Sequence, residues 1–188
     1  MNKWVKKSSK IVLDDKFMQI KKDEVELPNG DIIPWTYWDS NDSAMVIAMD
    51  KNRKLIMIRQ YKYLVQDHVL EFPSGGLDAS EDPEVGAKRE FTEETGYRCE
   101  GLVKLGSFYE TYSQLNRQIH IFFGNNAEFF EKSLDKGEKG YEDIEVKLVD
   151  FEKAVALAKE DKIVAMGSAL AILLLNEKVN KKEIDLSL

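Results

Sequence analysis

Short apolar runs in the first half of the chain have the lengths of strands, and tight turns separate them. Residues 43–49 and 54–61 are rich in apolar side chains, and the polar residues 50–53 form a turn between them. Residues 69–72 form a shorter run that leads into a Pro-Ser-Gly-Gly sequence. The pattern predicts two buried strands, followed by a short strand before a glycine turn.

The N-terminal region has a weaker apolar pattern. Residues 17–27 carry apolar positions intermittently, residues 28–31 (Pro-Asn-Gly-Asp) are a strong turn signal, and residues 32–38 are rich in aromatic side chains. This pattern predicts a β-hairpin. We interpret the hairpin as either a dimerisation arm or an edge of the main sheet.

A helix is predicted between Asp82 and Gly96. Asp82 is a favourable N-cap, Pro83 suits the first helical position because no N–H is needed there, and Gly96 favours a left-handed C-cap. The segments that follow are paired strands at 102–109 and 117–124, a polar loop at 131–141, a strand at 144–149, and helices at 151–160 and 163–179. This order predicts an α+β layered domain.

Composition and charge exclude several classes of protein. Of the 188 residues, 43% are hydrophobic and 32% are charged, which is typical of a globular domain. The formal net charge of −7 argues against a nucleic-acid partner, because nucleic acids attract basic surfaces. The sequence shows neither a signal peptide nor an apolar stretch long enough to cross a bilayer, so we expect a cytoplasmic protein without a membrane partner.

Cysteine and histidine are too scarce for the common disulfide and zinc frameworks. Cys99 is the single cysteine, and the histidines are His68 and His120. We interpret both histidines as packed or surface residues and Cys99 as a small buried residue. Any bound metal ion should therefore be a hard cation with oxygen ligands.

Three glutamates cluster near the end of the predicted helix. Glu90, Glu93 and Glu94 lie three or four residues apart or adjacent, so they share one side of the helix. Their like charges repel each other and oppose the helix dipole, which reduces helix stability. A divalent cation such as Mg²⁺ or Mn²⁺ would reverse the repulsion. The alternative is a solvated glutamate-rich face without a ligand.

Other residues of the same segment could support such a cluster. Arg89 lies four residues before Glu93 and could orient it by a charge-assisted hydrogen bond. Glu81 lies close to the helix start, from where it could approach the same metal cluster. Gly75 and Gly76 allow the backbone to pass close to a ligand.

The spacing of these residues resembles the signature of the Nudix hydrolases at every specified position. That signature is Gly, five residues, Glu, seven residues, Arg-Glu, an apolar residue, any residue, Glu-Glu, any residue, Gly, and an apolar residue. The residues that match it here are Gly75, Glu81, Arg89, Glu90, Phe91, Glu93, Glu94, Gly96 and Tyr97.

The resemblance implies an α+β fold of the Nudix type, an α/β/α sandwich with a mixed sheet, preceded by an N-terminal β arm. It also implies hydrolysis of a nucleoside diphosphate that is linked to a further group. By position, Glu90 and Glu94 would bind Mg²⁺, with Mn²⁺ as a substitute, and Glu93 would ligate or support the metal. Arg89 would hold the glutamates in place, and the backbone carbonyl of Ser74 would be a further ligand.

Two segments resemble the ADP-ribose pyrophosphatase and nucleotide-sugar hydrolase branch of this family. They are Arg-Gln-Tyr-Lys at 59–62 and Glu-Phe-Pro-Ser-Gly-Gly at 71–76. In that branch, the arginine of the first segment contacts the substrate diphosphate. We therefore expect Arg59 to be the first phosphate contact and Lys62 the second, and Glu71 is a further substrate-binding candidate.

The N-terminal strands resemble the arm through which that branch forms domain-swapped dimers. We therefore expect residues 1–40 to be an arm, residues 41–188 to be the Nudix domain, and the protein to be a homodimer. Trp35, Tyr37 and Trp38 are candidates to stack on a nucleobase, although such aromatic residues also pack in cores and interfaces.

The catalytic base and the substrate are expected to depend on residues outside the signature. In this branch the base often lies on a late loop, and Glu142 is the first candidate here, with Glu138 in reserve. ADP-ribose-specific relatives usually carry a proline after the strand that follows the signature, whereas Tyr112 stands here. This difference suggests a broader range of nucleotide sugars.

Two alternative functions are compatible with the sequence. One is a Nudix hydrolase that acts on dinucleoside polyphosphates or nucleoside triphosphates. The other is a non-catalytic module that senses nucleotides. Such modules usually carry a degraded signature or an attached DNA-binding segment, and the intact signature and acidic charge of this chain favour the enzyme.

Overall fold

The structure is a computed structural model that describes residues 3–131 and 144–186. Within these ranges it contains eleven strands and three helices. The strands are β1 Val5–Asp14, β2 Gln19–Glu26, β3 Ile32–Asp39, β4 Ser43–Asp50, β5 Lys54–Lys62, β6 Asp67–Glu71, β7 Ser74–Gly76, β8 Tyr97–Arg98, β9 Leu102–Tyr109, β10 Gln118–Phe129 and β11 Glu145–Asp150. The helices are α1 Pro83–Thr95, α2 Phe151–Lys159 and α3 Met166–Asn180.

The chain forms two compact units. The first contains the residues up to Asp42 together with Phe108–Gln118. In this unit β1, β2 and β3 form a three-stranded antiparallel sheet of their own. The predicted hairpin corresponds to β2 and β3, and the alternative that it forms an edge of the main sheet is wrong.

Strand β1 was not predicted from the sequence. All ten of its residues are exposed, and its Lys- and Ser-rich first half lacks the apolar alternation of a half-buried strand. Cross-strand contacts hold it to β2: the ammonium of Lys7 donates to Glu26, and the hydroxyl of Ser8 donates to Glu24.

The second unit contains Ser43–Ser107 and the residues from Ile119 onward. Its sheet has the strand order β11-β5-β4-β10-β8, with β6 paired to β5, β7 to β4, and β9 to β10. Strands β4 and β10 run parallel, whereas β5 is antiparallel to β4, β6 and β11. The sheet is therefore mixed, as predicted, and every residue of its central strand β4 is buried.

Helices cover both faces of this sheet. Because side chains alternate along a strand, Ala44, Val46 and Ala48 share one face, where they pack against Phe91 and Ala87 of α1. On the other face, Met45 and Ile119 lie against Gly167 of α3, and α2 packs beside α3. The predicted α/β/α sandwich is confirmed for this unit.

The ends of α1 follow the predicted caps. A side-chain oxygen of Asp82 accepts hydrogen bonds from the backbone N–H groups of Glu84 and Val85, and Pro83 occupies the first turn. At the other end Gly96 adopts a left-handed conformation with φ of 75°. These caps fix where the helix begins and ends, and therefore which turn carries Glu90.

The last helix differs slightly from its prediction. The apolar pattern predicted a start at residue 163, whereas α3 begins at Met166. No helix in the described ranges is long and apolar enough to cross a membrane.

Candidate functional site

The buried carboxylate of Glu90 lies directly against the backbone of Gly75. Glu90 is 7% exposed, and it lies on the side of α1 that faces β7. A Cβ atom added to Gly75 would lie 2.1 Å from the carboxyl carbon of Glu90 and 2.3–2.4 Å from its two oxygens. The carboxylate therefore occupies the space that any other residue at position 75 would need.

Arg89 connects the loop before α1 to the glutamates of the helix. Its guanidinium donates two hydrogen bonds to Glu81, at 2.9 and 3.1 Å, and one to Glu90 at 2.7 Å. A further hydrogen bond reaches the carbonyl of Gly76 at 3.2 Å, and Glu93 lies 3.5 Å away. The planar guanidinium thus fixes four groups at once, which a lysine could not do.

Glu94 is held at the neighbouring turn of the helix. One of its carboxylate oxygens accepts a hydrogen bond from the backbone N–H of Ser74 at 3.1 Å. Ser74 belongs to β7 and pairs with Met45 of β4. The segment before the signature and the C-terminal half of α1 therefore come together at Ser74 and Gly75.

The electrostatics of the cluster follow from these contacts. The hydrogen bonds from Arg89, with a further one from the N–H of Asp78, lower the pKa of Glu81 to about 2. The hydrogen bond to Glu81 also contributes most to raising the pKa of Arg89 above its ordinary value. Both side chains are therefore charged at every physiological pH.

The donor set of this cluster suits a hard divalent cation. Three carboxylates from adjacent turns of one helix and a nearby backbone carbonyl are oxygen ligands of the kind that Mg²⁺ prefers. Across the described parts of the chain, no three His, Cys, Asp or Glu side chains are arranged to hold a metal ion. Instead, Glu90 pairs with Arg89, and Glu94 pairs with the N–H of Ser74.

The two predicted phosphate contacts lie on opposite faces of the sheet. Strand β5 alternates regularly, so Gln60 and Lys62 share the face of Ile56, which packs in the α1 core. Arg59 lies on the other face, where its guanidinium is 3.9 Å from the carboxylate of Glu145. The ammonium of Lys62 lies 2.7 Å from the carboxylate of Glu71.

A cleft of about 500 Å³ opens beside the signature helix. Its lining includes Arg89 and Glu93 from the cluster, the ring of Phe91, and the cations Lys88 and Arg98. This volume lies within the range of small-molecule sites. The cleft therefore offers space beside the helix, and its lining carries three cations and the two carboxylates of Glu93 and Glu100.

The aromatic candidates belong to the first unit. Trp35 is 36% exposed and contacts the ring of Trp4 edge to face, whereas Trp38 lies beneath the guanidinium of Arg117. Tyr112 is 84% exposed. The base candidates Glu142 and Glu138 lie outside the described residues.

The two histidines and the cysteine, to which the sequence assigns no catalytic role, are exposed or have structural surroundings that account for them. His68 is exposed and contacts the ring of Tyr61, and Cys99 is buried, which raises the pKa of its thiol to about 11. His120 is buried, and its Nδ1 lies 2.7 Å from the hydroxyl of Ser107. Sequence analysis did not identify this pair, because the two residues lie on different strands and match no motif.

Sequence comparison places the chain among known families. A family model of the NUDIX domain matches residues 39–166. A second model, of the nucleoside diphosphate sugar hydrolase N-terminal domain, matches residues 4–38. Together the two models cover the sheet of β1, β2 and β3 and most of the second unit.

Individual relatives are similar over most of their length. The chain is 29% identical to the ADP-ribose pyrophosphatase of Bacillus subtilis, with 86% of each chain covered. It is 25% identical to the GDP-mannose pyrophosphatase of Salmonella typhimurium, covering 88% of this chain and 90% of the relative. A solved structure of an ADP compounds hydrolase matches with a TM-score of 0.82 and 18% identity, over 97% of both chains.

Proposed function

This chain belongs to the Nudix hydrolase family, and we propose that it hydrolyses the diphosphate linkage of ADP-ribose or a related nucleoside diphosphate sugar with Mg²⁺. The products are a nucleoside monophosphate and a sugar phosphate. The observation that carries the proposal is the arrangement of Glu81, Glu90 and Glu93 around Arg89. The similarity to an ADP-ribose pyrophosphatase and to GDP-mannose pyrophosphatases supports this class of substrate.

In this proposal the carboxylate cluster is the metal site. Glu90, Glu94 and the carbonyl of Ser74 would hold Mg²⁺, and Glu93 would ligate or support it. Mg²⁺ held by these residues would supply charge neutralisation for the phosphate oxygens and would lower the pKa of a bound water. Arg89 donates to Oε1 of Glu90, so Oε2 could bind the ion while Arg89 is held in place by Glu81 and the carbonyl of Gly76 as well.

The proposed reaction needs a nucleophile and a proton acceptor. A water molecule attacks one phosphorus, the bond from that phosphorus to the bridging oxygen breaks, and a carboxylate accepts the proton of the water. Glu142 is the proposed base, and Glu93, which lies 3.5 Å from Arg89, is a further proposed catalytic carboxylate. Replacing Glu142 by Gln should reduce kcat much more than the same change at Glu138.

Substrate binding is assigned to the α1 face of the sheet. Lys62 lies on that face beside Glu71, so we place it ahead of Arg59 as the phosphate contact. The cleft beside Arg89 is large enough for part of a nucleotide. Trp35, Tyr37 and Trp38 remain the proposed contacts of the nucleobase, and Tyr112 is a further proposed substrate-binding residue.

The proposed biological form is a cytoplasmic homodimer joined through residues 1–40. The apolar side chains Ile11, Val12 and Leu13 of β1 are each about half exposed, and β1 is one of the two outer strands of its sheet. Native proteins usually protect an exposed apolar edge strand such as β1 from solvent, and a second copy of the chain would do so here. Light scattering at several protein concentrations tests this assignment, and a monomer at every concentration would contradict it.

A substrate panel tests the proposed reaction. Purified protein with Mg²⁺ should release a monophosphate from ADP-ribose or GDP-mannose faster than from diadenosine tetraphosphate or a deoxynucleoside triphosphate. The Glu94→Gln variant should lose this activity. The Glu84→Gln variant is the matched control, because Glu84 lies on the same helix and pairs only with Lys88 among the described ion pairs. No release from any nucleotide sugar would overturn the proposal.

A further inference from the structure

We propose that Gln60 and Glu71 are positioning residues that hold the ammonium of Lys62 in place for the substrate diphosphate. The inference rests on the proposed function, and it assigns Glu71 a different role from direct substrate contact. The three residues are called the Lys62 cluster below.

The contacts within the Lys62 cluster fix the ammonium from two directions. Nζ of Lys62 donates to Oε1 of Gln60 at 2.8 Å and lies 2.7 Å from Oε1 of Glu71. An ammonium has three N–H donors, so two contacts determine its position and a third donor serves a substrate oxygen. Ordering a flexible lysine side chain when substrate binds costs conformational entropy. Because Gln60 and Glu71 already hold the Lys62 side chain, this entropy is not lost on binding.

Burial differs between the acceptors and the donor. The side chain of Glu71 is 14% exposed and Gln60 is 9% exposed, whereas the side chain of Lys62 is 41% exposed. The two acceptors are therefore fixed in the protein, and the ammonium lies at their outer surface. This is the arrangement expected of a group that is held by the protein and presented to a ligand.

The register of the strands places the Lys62 cluster close to the proposed metal site. Glu71 pairs with Ile58 of β5, so its side chain lies on the same sheet face as α1. Glu71 is also the last residue of β6 and precedes Ser74 by three residues, or about 10 Å of extended chain. The inference therefore places the Lys62 ammonium where a diphosphate held beside Glu90 and Glu94 would meet it.

Hydrogen bonds and core packing hold the chain between Glu71 and Ser74 in place, so the distance between these two residues is fixed. The N–H of Phe72 donates to the buried hydroxyl of Ser168 at 2.9 Å, and Phe72 itself is fully buried. The carbonyl of Pro73 accepts from the N–H of Val46 at 3.4 Å. A shift of Glu71 would therefore have to break contacts inside the core.

The test compares Michaelis constants of single and double variants with ADP-ribose and Mg²⁺. Lys62→Met and Glu71→Gln should each raise KM about tenfold while kcat changes little, because both remove binding rather than chemistry. Gln60→Met, which keeps the size of the side chain and removes the acceptor, should give a smaller increase in KM. It also serves as the second variant if Glu71→Gln does not fold.

The double variant separates positioning from independent contributions. If Glu71 acts through Lys62, the Lys62→Met/Glu71→Gln protein should have the KM of Lys62→Met alone. Multiplied effects in the double variant would overturn the inference, as would a wild-type KM for Glu71→Gln. A merely structural role would lower stability in urea and leave KM unchanged.

A matched control uses another ion pair of the same sheet. Lys54 and Asp150 pair across β5 and β11 with 2.5 Å between Nζ and Oδ1, away from Ser74. Asp150→Asn should leave KM unchanged. Wild-type protein that cleaves no nucleotide sugar would defeat the proposed function, whereas active wild type with an unaltered Glu71→Gln variant would defeat only this inference.

Discussion

At the scale of single residues, Gly75 connects the sequence motif to the packing of the site. The motif requires glycine at this position, and the structure supplies a physical reason, since the Glu90 carboxylate fills the space of a Cβ atom. At the adjacent Gly76, no heavy atom of the described residues lies within 4 Å of the corresponding position. A larger residue is therefore expected to fit at position 76 but not at position 75, although both glycines lie in β7.

Gly75→Ala should displace the Glu90 carboxylate and reduce kcat/KM by about 100-fold, because a shift of about 1 Å in a catalytic group has an effect of this size. Gly76→Ala, the matched control, should retain most of the activity. Steady-state kinetics on the preferred nucleotide sugar provide the measurement. Equal losses in the two variants would contradict the packing argument.

The low pKa of Glu81 makes a second prediction at this scale. Its pKa is about 2 in the folded protein, against an ordinary value of 4.5, so ionised Glu81 stabilises the fold above pH 4.5. That contribution is lost as the pH falls from 4.5 towards 2. Glu81→Gln should therefore lower the free energy of unfolding in urea at pH 6, and the difference from wild type should shrink at pH 3. A difference that is constant with pH would contradict the assignment.

At the scale of elements, the sequence predicts where α1 begins and ends but does not predict which residues the helix packs against. Its boundaries follow from Asp82, Pro83 and Gly96, all of which act within a few residues of the chain. Its packing depends on residues far away in sequence, such as Ala44 and Phe122. Gly86 shows this dependence on packing. A glycine inside a helix normally weakens the helix, but here the space that a Cβ atom would need is taken by side chains from outside the helix.

Replacing Gly86 by Ala should destabilise the protein although alanine is the better helix former. The new Cβ would lie 2.3 Å from a methyl group of Leu77 and 2.9 Å from a carboxylate oxygen of Glu81. Overpacking of this kind costs about 1–3 kcal/mol, against a gain in helix propensity of about 1 kcal/mol. Urea unfolding measures the balance, with Gly101→Ala as the control because its added Cβ meets no atom within 4 Å in the part of the chain that the structure describes. Stabilisation by Gly86→Ala would show that the loop yields easily.

At the scale of the whole molecule, the proposed metal site should link stability to Mg²⁺. A cation that binds only the folded state stabilises it by RT ln(1 + c/Kd), where c is the cation concentration, so the melting temperature rises with the logarithm of c once c exceeds Kd. Wild-type protein should therefore melt at a higher temperature in millimolar Mg²⁺ than in a chelator. Glu90→Gln and Glu94→Gln should lose most of this shift, and Glu84→Gln should keep it. A wild-type melting temperature that is insensitive to Mg²⁺ would count against the metal assignment.

The sequence alone determined the features that depend on short separations along the chain. The ends of α1 and the shared side of Glu90, Glu93 and Glu94 follow from spacings within one helix. The family follows from the spacing of a loop and that helix, and the α+β class follows from the order of the elements along the chain. Covalent geometry sets these spacings before any tertiary contact forms. The roles of the individual site residues remain predictions.

Only the tertiary structure decided the features that depend on strand pairing. A shift of one residue in register would move every side chain of β5 to the other face, so the sequence could not show that Lys62 rather than Arg59 faces α1. The exposed strand β1 exists because β2 pairs with it, and not because of its own apolar pattern. The contact between Gly75 and Glu90 likewise required the sheet and the helix to meet.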